Sequence, residues 1–208
     1  MQVHSRSFDH GQPIPAEFAL GAPGGFGGNR NPQLEWSAAP AGTQSFALMC
    51  IDTDAPTDGA LVADATTPIP VDHARGDFVH WVVADIPPTT TSIAAGAASD
   101  GVSRGGKPPH SDAGGRAGLN DYTGWFAGDR AMAGQYFGYD GPYPPPHDLR
   151  VHRYFFRVFA LDVPALDLPE AFTAADVFRA MHGHVLAEAA DWGTYTLNSS
   201  NATPNATR

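Results

Sequence analysis

A single cysteine, Cys50, stands among 208 residues, so no intramolecular disulfide can form. Its setting, SFALMCID, suits a small buried hydrophobe better than a reactive thiol. Long apolar runs are also missing. Nothing approaches the ~20 residues that a membrane helix needs, and the opening MQVHSRSFDHGQPIP has no apolar signal-peptide core. Both observations predict a cytoplasmic protein. Basic residues are scarce, 12 Lys and Arg against 22 Asp and Glu, for a net charge of −10. Nucleic acids and anionic membrane surfaces select Lys/Arg stripes or clusters, so neither is expected as a partner. A small anion in a locally positive pocket remains compatible with this balance.

Repeats and dividing linkers are absent as well, which predicts one domain over residues 1–208. With 42% hydrophobic and 16% charged residues, the chain has a globular composition. Gly (23) and Pro (19) are abundant, implying many turns and few long helices. GAPGGFGGNRNP (21–32) is a Gly-rich loop without phosphate-loop spacing. The polar tail 198–208 contains N-x-[ST] triplets and reads as a frayed end.

Three apolar stretches predict central strands: QSFALMCID (44–52), DFVHWVVADIP (77–87) and VHRYFFRVFALD (151–162). WGTYTL (192–197) predicts a short final strand. One amphipathic helix is expected over 173–191, capped by Thr173 with Asp176 three positions on. The pattern is mainly β with a late helix.

An imidazole at His80, between Val79 and Trp81, is out of place in an apolar strand unless something satisfies it. Period-two geometry puts His80 on the face of Val82 and Ala84, and His152 with Tyr154. Asp52 ends its strand on the face of Leu48 and Cys50. If these strands are neighbours, Asp52, His80, His152 and Tyr154 converge on one concavity. A carboxylate beside an imidazole favours the cation. Together with ring N–H groups, a phenol and backbone amides of the glycine-rich GYDGPYPPPHD (138–148), this makes an anion pocket. A metal is a weaker reading of the same residues, because no H-x-x-x-H or H-E-x-x-H pair exists. No G-x-S-x-G elbow supports a serine hydrolase. Arg153 and Arg157 read as structural ion pairs, and His182 and His184 as helix-surface residues.

NRNPQLEWSAAPAGTQSFALMCIDTDAP (29–56), FVHWVVADIP (78–87), GLND (118–121), GYDGPYPPPHDLRVHRYFFRVFALD (138–162) and HGHVLAEAADWGTY (182–195) together resemble the phosphatidylethanolamine-binding proteins, and more closely their bacterial Raf-kinase-inhibitor-like branch. The resemblance implies a large antiparallel sheet packed on a smaller one, with a helix near the carboxyl end. It implies a pocket for a small anion, phosphate or a phosphorylated headgroup. That pocket would be built from Asp52, His80, Gly141, Pro142, His152 and Tyr154, with Trp81 and Pro145 as weaker members. Some members inhibit kinases or proteases, and the bacterial branch is often dimeric. The expected function is therefore non-enzymatic anion binding without a cofactor, with a protein partner and a homodimer open. The alternative is a hydrolase, metal-dependent or acid–base.

Three features depart from that family. Thr53 stands where Pro is usual, and Asn31 where Ser is common. An extra segment, TGWFAGDRAMAGQYF (123–137), carries Trp125, Phe126, Tyr136 and Phe137. That much apolar area needs burial, which predicts a position beside the pocket mouth or in a subunit contact.

Overall fold

In the computed structural model, residues 1–201 are described; the last part of the tail, with Asn205, lies outside the described residues. Ten strands follow in chain order: β1 Gln2–His4, β2 Gly21–Ala22, β3 Gly25–Phe26, β4 Leu34–Ser37, β5 Ser45–Pro56, β6 Arg75–Ile86, β7 Ser92–Ile93, β8 Arg116–Ala117, β9 His152–Leu161 and β10 Val185–Tyr195. Helices are short: α1 Gly59–Ala63, α2 Tyr122–Trp125 and α3 Ala174–Ala180, with a 3-10 turn at Ala16–Phe18. The main sheet runs β10-β9-β5-β6-β8 and is antiparallel throughout. A smaller sheet, β1-β4-β7, packs on one of its faces. This is the mainly β architecture that the alternating apolar strands predict.

Both faces of the main sheet are buried, which is why its central strands are apolar on both sides. Leu48, Cys50, Trp81, Val83, Phe156 and Val158 meet Leu34 and Trp36 of the small sheet. On the other face, Met49, Val82, Phe159 and Leu161 are covered by Phe172, Val177 and Met181. Cys50 lies in the first core, fully buried, and burial raises its thiol well above the ordinary value.

The helix expected over 173–191 is only α3; its second half is strand. Thr173 and Asp176 form the anticipated capping box. Gly183 then takes a left-handed φ of +84° and turns the chain out of the helix. Val185–Tyr195 pairs along β9, from Val185↔Leu161 to Tyr195↔His152. The alanines of LAEAAD favour a helix by only a few tenths of a kcal/mol each. A full ladder of backbone hydrogen bonds outweighs that local preference. His184 lies past the helix end, and its Nδ1 is 2.9 Å from Asp162 Oδ1.

The start of the tail is also ordered. Asn198 is buried and donates to the Asp148 carbonyl at 3.0 Å, while Asn201 donates to the Leu149 carbonyl. Asn31 is a buried knot: its amide donates to Pro32 and Ala94 carbonyls, and its Oδ1 accepts from Ala98 and Ser99 amides. A serine is too short to span all four partners. Strand β5 runs through Thr53 to Pro56, and the Asp54 amide donates back to Asp52 Oδ1 at 2.8 Å, which steadies the backbone that Pro would otherwise stiffen. Among the described residues, no helix is long and apolar enough to cross a membrane.

Candidate functional site

Regular pairing between β5 and β9 sets Asp52 opposite Tyr154, and His152 shares Tyr154's side of the strand. His80 reaches the same side by an irregular route. Cys50 pairs with Trp81, but the next β5 residue, Ile51, pairs with Val79. His80 is thus the extra residue of a β-bulge, and the alternation slips by one position. Strict alternation would leave His80 under α3 with Val82. The bulge instead turns its ring onto Tyr154, with centroids 5.1 Å apart, and onto Phe78 at 5.0 Å.

Asp52, His80, His152 and Pro145 line one cavity of about 60 Å³. Its walls add Val62, Phe78, Tyr122, Trp125, Tyr143 and Pro144. The 123–137 segment therefore stands beside the mouth: Trp125 lines it, while Phe126, Met132 and Tyr136 bury themselves against Leu20 and Tyr122. Tyr154 lies beneath, fully buried, and its hydroxyl has no hydrogen-bond partner among the described residues. Burial, reinforced by the Asp52 carboxylate, raises its phenol well above the ordinary value and keeps it protonated. Trp81 is not at the wall. Its indole N–H donates to Asp112 at 2.7 Å inside the core.

Gly141 and Pro142 shape the site from behind. The Gly141 amide donates to Asn29 Oδ1 at 2.8 Å, and the Pro142 carbonyl accepts from Gly21. The Asp140 amide donates to the His80 carbonyl. These loop amides hold the loop and are not free to cradle an anion, contrary to the sequence expectation. The Asp140 carboxylate, buried, gathers Asn29, Asn120 and Lys107 and fixes the loop's position. The family stretches NRNP and GLND thus act through Asp140.

The two histidines have opposite electrostatics. His152 is sandwiched: Nδ1 donates to Asp52 Oδ2 at 2.7 Å and Nε2 to Asp148 Oδ2 at 3.0 Å. Burial works against the cation, but hydrogen bonds to Asp148 and Asp52 outweigh it and push the ring up to about 9. Asp148 in turn takes the Arg75 guanidinium in a bidentate pair. Burial alone would raise Asp148; its bonds to His152 and Arg75 instead hold its carboxyl well below the usual range. Asp52, His152, Asp148 and Arg75 form a buried chain of alternating charge. Beyond it Arg153 and Arg150 pair with Asp54, and Arg157 pairs with Glu188. Arg153 and Arg157 thus make ion pairs.

Among the described residues, His80 has no carboxylate partner within hydrogen-bond reach. Its Nδ1 faces the carbonyls of Asp140 at 2.8 Å and Gly141 at 3.1 Å, so Nδ1 carries the proton. Burial lowers its pKa, with Asp52 and the Asp140 carbonyl only partly opposing. The ring is neutral at neutral pH. Nε2 makes no hydrogen bond among the described residues and presents a lone pair. The sequence predicts one histidine charged by the carboxylate, with ring N–H groups left for an anion; the structure charges His152, whose N–H groups are both spent, and leaves His80 neutral. No three His, Cys, Asp or Glu side chains among the described residues are placed to hold a metal.

Asp148, Arg75, Asp140, Phe78 and Tyr122 were not singled out from sequence. Asp148 was within reach of such reading, lying in the PPPHDLRVH stretch four residues before His152. The others depend on contacts that only folding makes.

A family model described as phosphatidylethanolamine-binding protein matches residues 4–196. A UPF0098 protein of Aquifex aeolicus is 34% identical over 195 residues, covering 94% of this chain and 88% of the relative. The UPF0098 protein YbhB of Escherichia coli is 30% identical over 189 residues, covering 91% and 96%. The crystal structure of E. coli YbcL, described as a member of the mammalian PEBP family, superposes with a TM-score of 0.65 at 26% identity, covering 94% and 97%. The Chlamydia trachomatis PEBP homolog CT736 superposes at 0.62 with 28% identity, covering 93% and 95%. The family model matches nearly the whole length and the superposed folds agree: the chain belongs to the phosphatidylethanolamine-binding protein family.

Proposed function

We propose that the chain is a non-enzymatic binding protein for a small acidic ligand, a phosphate or phosphorylated headgroup, seated on His80 and Asp52. The observation that carries this reading is His80 Nε2, which makes no hydrogen bond among the described residues and belongs to a cavity it shares with Asp52 and His152. An imidazole lone pair that faces a cavity without a protein donor is left for a ligand or solvent to meet. Because Nε2 is an acceptor and Asp52 is a carboxylate, the complex must hold a proton that the empty site lacks. Either the phosphate brings it as P–O–H, or His80 takes it up. Among the described residues, no Ser, Thr, Cys or Lys lines the cavity, so any nucleophile there would have to be Asp52, a histidine or a tyrosine. Modulation of kinases or proteases and a homodimer accompany this reading through family resemblance alone, and a cytoplasmic location through the sequence expectation alone.

Titration with inorganic phosphate, followed by thermal denaturation at pH 6 and pH 8, tests it. Phosphate raises the midpoint by mass action, more at pH 6 than at pH 8, and His80→Gln removes the rise. No shift at millimolar phosphate at either pH overturns the proposal. One observation favours the alternative: a neutral imidazole oriented at Nδ1 is also a competent general base. Ester hydrolysis by the wild type, lost in His80→Gln, would put a hydrolase in place of the binding protein.

A further inference from the structure

The cavity is far smaller than the ~300–1,000 Å³ of sites that enclose a drug-sized ligand. It has room for a head alone. Outside it lies an apolar groove of about 460 Å³. The two share Trp125, Tyr143, Pro144 and Pro145, so the wall of one is the start of the other. The groove continues over Phe26 and Met132. Phe26, Trp125 and Tyr143 are among the exposed large hydrophobics, Trp125 at 51%. Exposed aromatic area gathered at the exit of a polar cavity marks where the apolar part of the same ligand would lie. Consecutive prolines at 144–146 keep that wall rigid and lower the cost of ordering it.

We infer that the ligand is a phosphate monoester of an apolar alcohol, and not a phosphodiester. This rests on the anion reading above and narrows it. Three features of the site carry the choice. The floor offers acceptors: Asp52, and His80 Nε2 with its Nδ1–H committed to two carbonyls. A monoester has a second ionisation near pH 6 (about 6 for phosphorylated side chains) and so brings a P–O–H donor to that floor. A diester has no such proton and must draw one from solvent onto a ring whose burial opposes it. The small cavity opens on the apolar groove, matching a head that carries an apolar substituent.

Calorimetric titration at pH 6 compares three probes: inorganic phosphate, hexyl phosphate and methyl hexyl phosphate. At that pH the diester carries one negative charge and the monoester about one and a half. Hexyl phosphate is expected to bind at least tenfold more tightly than both others. Phe26→Ala, outside the cavity, is expected to lower the ratio of hexyl phosphate to inorganic phosphate affinity threefold or more. A diester that binds as tightly as the monoester overturns the monoester assignment. Equal affinity for hexyl and inorganic phosphate, or a ratio unmoved by Phe26→Ala, overturns the groove. Failure of all three probes to bind, with His80→Gln inert, instead strikes the anion reading itself.

Discussion

Two buried histidines flank one tyrosine, and they are held in opposite ways. His80 and His152 lie 5.1 and 6.4 Å from the Tyr154 ring, both nearly inaccessible. His152 stands at the start of β9 between two carboxylates and is a cation. His80 stands in the β6 bulge against two peptide carbonyls and is neutral. Equal burial thus gives opposite charge, because a low-dielectric site amplifies whichever partner is present. A carboxylate compensates a buried cation, whereas a carbonyl dipole satisfies only one N–H. The two His152 nitrogens at the β9 end are both engaged; the β6 bulge keeps one unfilled position, the one the proposed ligand would take.

Removing the compensation at the saturated end has the largest effect. Asp148→Ala removes the carboxylate shared by Arg75 and His152, leaving Arg75 only peptide carbonyls and one His152 nitrogen no acceptor, and is expected to cost about 3–5 kcal/mol in urea unfolding. If the loss is under 1 kcal/mol, the charge chain is not what holds the β9 end. Acidity separates the two rings next. His152 is raised in the fold from 6.5 to about 9, so its contribution is complete below pH 6.5 and is lost as pH rises through about 9. Unfolding free energy is expected to fall by roughly 3 kcal/mol over that interval, and the slope to vanish in His152→Gln. His80, lowered in the fold, has the opposite sign: its contribution is present above 6.5 and is lost as pH falls. Together they predict a stability maximum near neutrality.

Smaller effects probe the bulge. In Gly141→Ala the new Cβ would sit 2.2 Å from the Phe18 carbonyl oxygen and 2.9 Å from Ala19 Cα. The loop that meets His80 must retreat, at about 1–3 kcal/mol. A neutral thermal midpoint would mean the loop is free to move. His80→Gln is expected to be milder still, about 1 kcal/mol or less, provided the amide reaches the Asp140 carbonyl. A large loss there would make His80 a structural residue like His152 and erase the contrast.

The half of the site on β5 and β9 was legible because those strands alternate without interruption. Asp52, His152 and Tyr154 fall on one side by simple parity. His80 was recognisable as an oddity, but parity put it on the wrong side. The bulge that corrects it is a property of pairing with β5, and no residue within FVHWVVAD announces it. The Asp140 and Gly141 amides were lost as donors for a related reason. An amide's availability depends on distant partners such as Asn29, and sequence does not show which partner it finds. The helix over 173–191 failed in its second half because β9 offered LAEAAD a ladder.

Composition and pattern alone determined a mainly β chain, apolar on both sides of its central strands, with an acid, two imidazoles and a phenol at strand ends. Those follow from hydrophobic periodicity, which acts on each residue locally. Tertiary structure decided which imidazole is charged, which face His80 takes and what lies at the mouth. Each of these depends on the field and hydrogen bonds of residues far away in the chain, and only the folded arrangement fixes those neighbours.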